Sequence, residues 1–583
     1  MNRNIFLILW ILPQMLSVAG SSLPGTTLPR GPEKHALAEP ADLGPRVYIF
    51  DPGMDMGVIQ DIVDSLFQRQ YRSEFTTDRY ALLFLPGTYE LDIKVGYYMQ
   101  VAGLGNSPQD VVIRGAVRSF SKREGGGHVL TNFWRSVENL TIDPAPDSTN
   151  VWGVSQAAPM RRVWVRGNLQ LHDHGYASGG FLADSKIEGT VLAGGQQQWF
   201  SRNCQWGGWT GGAWNILSIG VENAPEDNWP EGPYTTLDSI EVSREKPFLS
   251  VNGGTLQLTI PETRYHTRGI SWSVESPSER QIPVSEFYVA FPGHDDSGTL
   301  NAALRQGMNL LFTPGTYPLE QALEVIGPGT IIAGLGMPSL MPLKGNAAIV
   351  VSEAEGLILS GLLFDAGPVR SEKIVVVGPP GPDVSGMISP PWLFDLFFRV
   401  GGPSPGSSGT CLEINSHHLY ADHLWIWRAD HGNGVGWDLN RSDQGLVVNG
   451  DQVTIYGLFN EHHQKYQTVW NGEKGKVYLY QSEMPYDPPS VDSWKHDGIG
   501  GYASYKVSDR VSSHEAWGVG VYCVFYDAPV VVDQAIETPP SLEDSIHRKF
   551  TFWLNGNKNS SIQSIINGKG AAVQQGNRKA MLQ

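Results

Sequence analysis

Glu461 and Glu483 stand 22 residues apart, each at the end of a β-rich run, VTIYGLFNE and KVYLYQSE. In a chain that coils with about that period, residues one coil apart stack at about 4.8 Å, so both side chains face one cleft. Paired carboxyls of this kind are what glycosidic bond hydrolysis requires. One donates a proton to the departing oxygen, and the other, ionised, accepts a proton or steadies charge. Crowding two like charges raises one pKa and keeps that carboxyl protonated near neutrality. Tyr486 lies three residues beyond Glu483 and is placed to hydrogen-bond the pair or its water. Tyr466, Trp470, Tyr480 and Trp494 crowd the same stretch. Flat rings suit a site that stacks sugars, and core packing is their other use. Two surface acids beside turns are the alternative reading of the pair.

Other polar groups are placed to serve such a site. In LAGGQQQWFSRN, Gln196 and Gln198 share one strand face and Gln197 takes the other. Their amides suit a sugar hydroxyl or an attacking water, or else a stacked ladder between coils. The glycine-rich turn ADHGNGVGWDLN presents Asp430, His431 and Trp437 to a groove, and it lacks the ligand spacing of a calcium loop. His417-His418 and His462-His463 point to opposite faces of a strand, which suits no shared ion. The GPSPG match at Gly402 to Gly406 has two prolines and suits a loop, not a nucleophile elbow. Neither metal nor cofactor is expected.

The elements that must position these groups are strands. The 583 residues include 67 Gly and 39 Pro, and short β-rich runs far outnumber helical periodicities. LLFLPGTYELDIKV (Leu82 to Val95) returns as LLFTPGTYPLEQALEV (Leu310 to Val325), each followed by an AGLG turn, with Pro86 and Pro314 228 residues apart. Two copies in the same order predict one architecture used twice. Runs recurring every 20–25 residues or so point to an all-β chain of two parallel β-helices in tandem, not to a sandwich. The expected limits are 47–270, with the coil pattern clearest over 47–242, and 286–583, joined by a polar connector at 271–285. Residues 1–20 read as a secretory signal (Arg3, then the apolar Ile5 to Leu12, then Ala19-Gly20-Ser21) and 21–46 as a leader. No later run is long enough to span a membrane, so a secreted, extracellular protein with no membrane partner is expected. A formal charge of -17 argues against nucleic acid or another polyanion as partner. Cys204, Cys411 and Cys523 allow at most one disulfide, and Asn139, Asn440 and Asn559 head glycosylation sequons.

The run IWRADHGNGVGW…GLVVNGDQVTIYGLFNEHHQKYQTVWNGEKGKVYLYQSEMPYDPP, with GGQQQWFSRN and the doubled PGTY…AGLG, resembles glycoside hydrolase family 55, the exo-acting β-1,3-glucanases or laminarinases. The resemblance implies two right-handed parallel β-helices arranged like a rib cage, with the active site between them. It implies hydrolysis of a β-1,3-glucan with inversion, Glu483 as general acid, and Glu461, Tyr486, Gln196 or Gln198 near the attacking water. A serine of the first half joins that relay, and Ser218 is the match. Tyr466, Trp470, Trp494, Trp437, Asp430 and His431 are then expected to bind substrate, in a monomer. Carboxyls on adjacent rungs suggest the separation of a retaining enzyme, about 5 Å, whereas inversion uses about 6.5–9.5 Å. Either the side chains diverge or a Gln–Tyr relay holds the water. A polysaccharide lyase, with Lys474, Lys476 or Lys495 as base, and a non-catalytic glycan-binding module are the alternatives.

Overall fold

The computed structural model describes residues 42–122, 126–145, 149–273, 279–382 and 389–582. The expected signal segment lies outside them. The chain is nearly all β, and its strands pair overwhelmingly in parallel. In the first half, nine strands from Val47–Phe50 to Tyr234–Leu237 form one continuous ladder in chain order, with branches along a second face. In the second half, ten strands from Phe287–Ala290 to Lys549–Gly556 do the same. A separate eight-stranded parallel sheet, Leu323–Val325 to Ile536–Glu537, forms another face of the same coils. Apolar residues fill each stack: Leu82, Val101, Val137 and Met160 in the first, Leu310, Ile332, Leu359 and Leu393 in the second.

The doubled PGTY motif has a physical reason. The Tyr89 hydroxyl sits 2.9 Å from the Phe50 carbonyl oxygen and 2.8 Å from that of Leu85. Tyr317 repeats this 2.8 Å from Ala290 and 2.9 Å from Thr313. A buried tyrosine thus ties its own turn to the coil below through one carbonyl of each. The glycine of each motif packs on a proline, since a Cβ on Gly87 would lie 2.6 Å from Pro52 and one on Gly315 2.4 Å from Pro292.

From the fourth coil of each half onward, the chain turns a corner at a residue in the left-handed region. One column runs through Asn139, Arg162, Asp184, Asn203 and Gly220, the other through Gly361, Asp395, His423, Gly457, Leu479 and Gly518. The pairing register steps over these positions, as between Tyr456↔Tyr478 and Leu458↔Tyr480. Gly, Asn and Asp tolerate that backbone at least cost, which is why they fill most of the column.

Two features, the helices and the connector strand, depart from the sequence expectation. After its first strand each half carries a helix, α1 (Met56–Gln70) and α2 (Ser297–Arg305), capped by the side chains of Asp55 and Asp296. The expected connector contributes a strand, Glu279–Pro283, to a three-stranded antiparallel sheet with Phe248–Asn252 and Thr255–Pro261. Cys204, Cys411 and Cys523 are each buried and unpaired. Of the sequon asparagines, Asn139 and Asn440 are buried and bonded to backbone carbonyls, while Asn559 is exposed.

The halves meet through aromatic packing, among others of Phe133, Phe181, Phe200, Phe397, Trp425 and Phe459, and through a buried ion network. Arg161 bonds Asp395 and Asp422 at 2.7 Å each, Arg202 bonds Asp422 at 2.6 Å and Glu245 at 2.7 Å, and Lys246 bridges Glu138 and Asp395 at 2.8 and 2.9 Å. Burial alone would raise the Asp422 pKa, but Arg202 and Arg161 outweigh it and hold the carboxyl below its ordinary range. Its stabilising contribution is therefore full above the ordinary carboxylate pKa and lost as pH falls through the depressed one. Asp422→Asn leaves two buried guanidiniums short of their shared anion. The expected loss, read by denaturant unfolding, is about 3–5 kcal/mol.

Candidate active site

Glu461 ends the strand Thr454–Glu461 and Glu483 ends the strand Gly475–Glu483. These strands pair with Phe459 opposite Gln481, so the two carboxyls rise from adjacent coils. The column continues to Trp427 below Glu461 and to Tyr522 above Glu483. Both glutamates lie on the face turned toward the first half.

Their side chains are held in different directions. Glu461, 3% exposed, accepts from Gln156 Nε2 of the first half at 3.0 Å and from Trp425 Nε1 at 2.8 Å, one donor to each oxygen. Gln156 Nε2 also lies 3.4 Å from Ser178 Oγ and 3.5 Å from Gln481 Oε1. Glu483 is half-buried, and its Oε2 accepts from the Tyr486 hydroxyl. The Tyr486 ring packs edge-on against His462, 4.4 Å between centroids, and His462 is anchored by Nδ1 to the Met484 carbonyl oxygen at 3.1 Å.

Both carboxyls are pushed up in pKa. For Glu483 burial is the largest cause, the Tyr486 hydrogen bond opposes it and the Asp430 charge adds to it, giving about 7. For Glu461 burial again leads, followed by the charge of Glu483, with the Trp425 N–H opposing. Such a pair holds one proton between them near neutrality. Both Glu461 oxygens face N–H donors, which favour the ionised form, but burial and the Glu483 charge outweigh them and hold the carboxyl well above its ordinary range.

Asp430 is the third acid near the pair. His431 bonds Asp430 through Nδ1 at 2.9 Å and Glu74 of the first half through Nε2 at 2.6 Å. Burial would lower the His431 pKa, but these two carboxylates outweigh it and raise it to about 10. The imidazolium is thus a fixed cation clamping the halves together. Its charge and hydrogen bond overcome the effect of burial on Asp430 and hold that carboxyl at about 2.

The remaining expected residues divide. Trp470 and Trp494 are 0% and 1% exposed in the core of the second stack, so neither meets a sugar. The Tyr466 hydroxyl is taken by His496 at 2.9 Å and Glu537 at 3.3 Å on another part of the coil. His431 has both ring nitrogens engaged and clamps instead of binding substrate. Trp437 is half-buried against the core, with the Arg428 guanidinium over its ring. Gln196 serves backbone, accepting from Gly179 N at 3.0 Å and donating to the Leu171 carbonyl oxygen at 3.2 Å. Gln198 faces the interface in register with Asn215 and is 1% exposed. Ser218 pairs with Ser201, whose Oγ accepts from the buried Trp199 indole. Its flanking Leu217 and Ile219 are the residues that meet the second half, so Ser218 turns inward. The polar groups that do meet Glu461 are Gln156, Trp425 and, through Gln156, Ser178. Nothing in the run that carries Gln156 and Ser178 marks them out, because Glu461 lies 305 residues beyond Gln156. Of the lysines suited to a lyase base, Lys476 pairs with Glu241 and Lys495 with Asp492, away from the carboxyls.

The comparisons with known proteins bear on this geometry. Residues 287–483 match a family model described as the LAM55 pectate lyase-like domain. An exo-beta-1,3-glucanase of Streptomyces sp. (strain SirexAA-E / ActE) is 46% identical over 496 residues, 85% of this chain and 81% of that protein. The structure of sacteLam55A from Streptomyces sp. SirexAA-E superposes with a TM-score of 0.89 at 42% identity, covering 93% of this chain and 98% of that one. A variant of sacteLam55A in complex with glucose gives 0.90 at 41% identity, covering 94% and 99%. Likeness of this extent, in sequence and in fold, makes the chain a member of glycoside hydrolase family 55.

Proposed function

We propose that the chain is an exported exo-β-1,3-glucanase that hydrolyses laminarin-type glucan with inversion, with Glu483 as the general acid. The observation that carries this reading is the pair of carboxyls on adjacent coils, buried Glu461 held to the first half by Gln156 and half-buried Glu483 held to Tyr486. Its relatives supply the substrate: the 46%-identical protein is named an exo-beta-1,3-glucanase, and a sacteLam55A variant holds glucose. The fold that goes with the reading is two tandem right-handed parallel β-helices, 47–270 and 286–583, in a rib-cage arrangement. A monomer with a leader removed on export completes it, and nucleic acid and membrane are not partners.

In this mechanism Glu483 gives its proton to the glycosidic oxygen as the bond to the terminal glucosyl unit breaks. A water on the opposite face of that sugar attacks the anomeric carbon. Glu461, ionised, takes the proton of that water, and Gln156 with Ser178 holds the water in line. Inversion needs the wider carboxyl separation, about 6.5–9.5 Å, and the separate anchors of Glu461 and Glu483 favour that reading. The carboxyl column is bounded at one end by His431, packed 5.3 Å from Trp427 and bonded across to Glu74. At the other end the Trp214 ring stacks 4.3 Å from Phe552 and lies 5.4 Å from Tyr522. A site closed at both ends of the column admits a chain terminus rather than a chain middle, which is the basis of exo action.

Chromatography and anomer-resolved NMR of laminarin products test the proposal. The expected first products are glucose or short oligomers carrying the α-anomer. A β-anomer would overturn inversion, unsaturated products would mark a lyase, and binding without new reducing ends would mark a non-catalytic module.

A further inference from the structure

Two of the groups that tune Glu483 stand on separate loops, and one buried guanidinium holds both loops. Arg428 ends the strand Tyr420–Arg428, next to Trp427 of the carboxyl column. It is 1% exposed, and each of the five N–H donors of its guanidinium has an acceptor. Nε donates to the Asn440 carbonyl oxygen at 2.8 Å. Nη1 donates to the His462 carbonyl oxygen at 3.2 Å and to Asp487 Oδ1 at 2.8 Å. Nη2 donates to the Gly436 carbonyl oxygen at 3.3 Å and to Asp487 Oδ2 at 2.8 Å. Gly436 and Asn440 belong to the loop 429–440 that carries Asp430 and His431, and Asp487 follows Tyr486 directly. One side chain thus spans three successive coils of the ladder.

The carboxyls themselves are bonded by Gln156, Trp425 and Tyr486, so Arg428 acts on the acid only through what it holds in place. Burial raises the Glu483 pKa most, the Tyr486 hydroxyl lowers it and the Asp430 charge raises it. Tyr486 and Asp430 stand on the two loops that the guanidinium joins. Glu461, Tyr522, Tyr526 and Cys523 also face Glu483, and none of them lies on either loop. A lysine at 428 keeps the charge but is a single ammonium. It cannot grip a carboxylate with two parallel bonds and still reach three carbonyls. Arg428→Lys therefore changes the geometry of the loops while leaving the local field nearly as it was.

We propose that the Arg428–Asp487 pair is a positioning device that locks the Tyr486 loop to the Asp430 loop and so sets how readily Glu483 gives up its proton. Granted the glucanase reading, on which this rests, the test compares laminarin with β-glucosyl fluoride, whose leaving group needs no proton donor. Arg428→Lys and Asp487→Asn each lower kcat on laminarin about 10–100-fold and leave the fluoride rate within about threefold. Arg428→Lys also moves the basic limb of kcat/KM to higher pH, as loss of the Tyr486 bond does. Placed in Tyr486→Phe, it moves the limb no further. Equal loss on both substrates, an unmoved limb, or two limb shifts that add would each overturn the proposal. Should Arg428→Lys not fold, Asp487→Asn, altered at the end of the pair with 23% side-chain exposure, decides it through the substrate comparison alone. Failure of the unaltered protein to hydrolyse laminarin would instead overturn the glucanase reading itself.

Discussion

Glu483→Gln lowers kcat on laminarin by about 10²–10⁴-fold, the span that a positioned general acid contributes, while the fold survives. The substitution keeps shape and volume, and Tyr486 still finds an oxygen to donate to. Its pH signature is as telling as its size. In the unaltered protein burial and Asp430 place the Glu483 carboxyl at about 7 against the opposing Tyr486 bond. An acid must hold its proton to donate it, so kcat/KM falls as pH rises through about 7. In Glu483→Gln that limb disappears from whatever activity remains. In Tyr486→Phe the hydrogen bond that favours the ionised form is gone, so the limb moves to higher pH. A Glu483→Gln profile that keeps the limb would show that another group titrates there.

Glu461→Gln is expected to cost as much in rate and also some stability. Each Glu461 oxygen accepts one N–H, from Gln156 and from Trp425. An amide offers one oxygen and one NH₂, so one buried donor meets another donor, at a cost of about 1–3 kcal/mol. Loss of the group that accepts the water proton removes about another 10²–10⁴-fold from kcat. Charge repulsion is mutual, so the Coulomb push of Glu483 on Glu461 has its counterpart on Glu483. Removing it eases ionisation of Glu483 and moves the basic limb to lower pH. Steady-state kinetics across pH, with thermal unfolding beside them, separate these effects. A variant with an unshifted limb and a normal rate would remove Glu461 from the proton path.

What could be read from the sequence follows from what each feature depends on. The carboxyl pair was legible because it depends only on coil length, and 22 residues is one coil here, as between Thr454 and Lys476. The doubling was legible because PGTY serves one local task twice, tying a tyrosine hydroxyl to the coil below. The helices were hidden among strands, although Asp55 as a cap and Ile59, Ile62, Val63, Leu66 and Phe67 on one face mark α1. Gln156 and Ser178 were beyond sequence reasoning because they belong to the other half, and nothing local distinguishes Gln156 from Gln196. Aromatic density near the site misled for a related reason. Composition cannot separate an inward ring from an outward one, and Trp470 and Trp494 alternate into the core while Tyr526 does not.

The central claim, that Glu483 protonates the departing glucan, is tested most directly by leaving-group dependence in Glu483→Gln. A glucosyl fluoride needs no proton donor, whereas a glucan leaving group does. The variant should therefore hydrolyse β-glucosyl fluoride within about tenfold of the unaltered rate while losing laminarin turnover by about 10²-fold or more. Equal loss on both substrates would contradict the assignment.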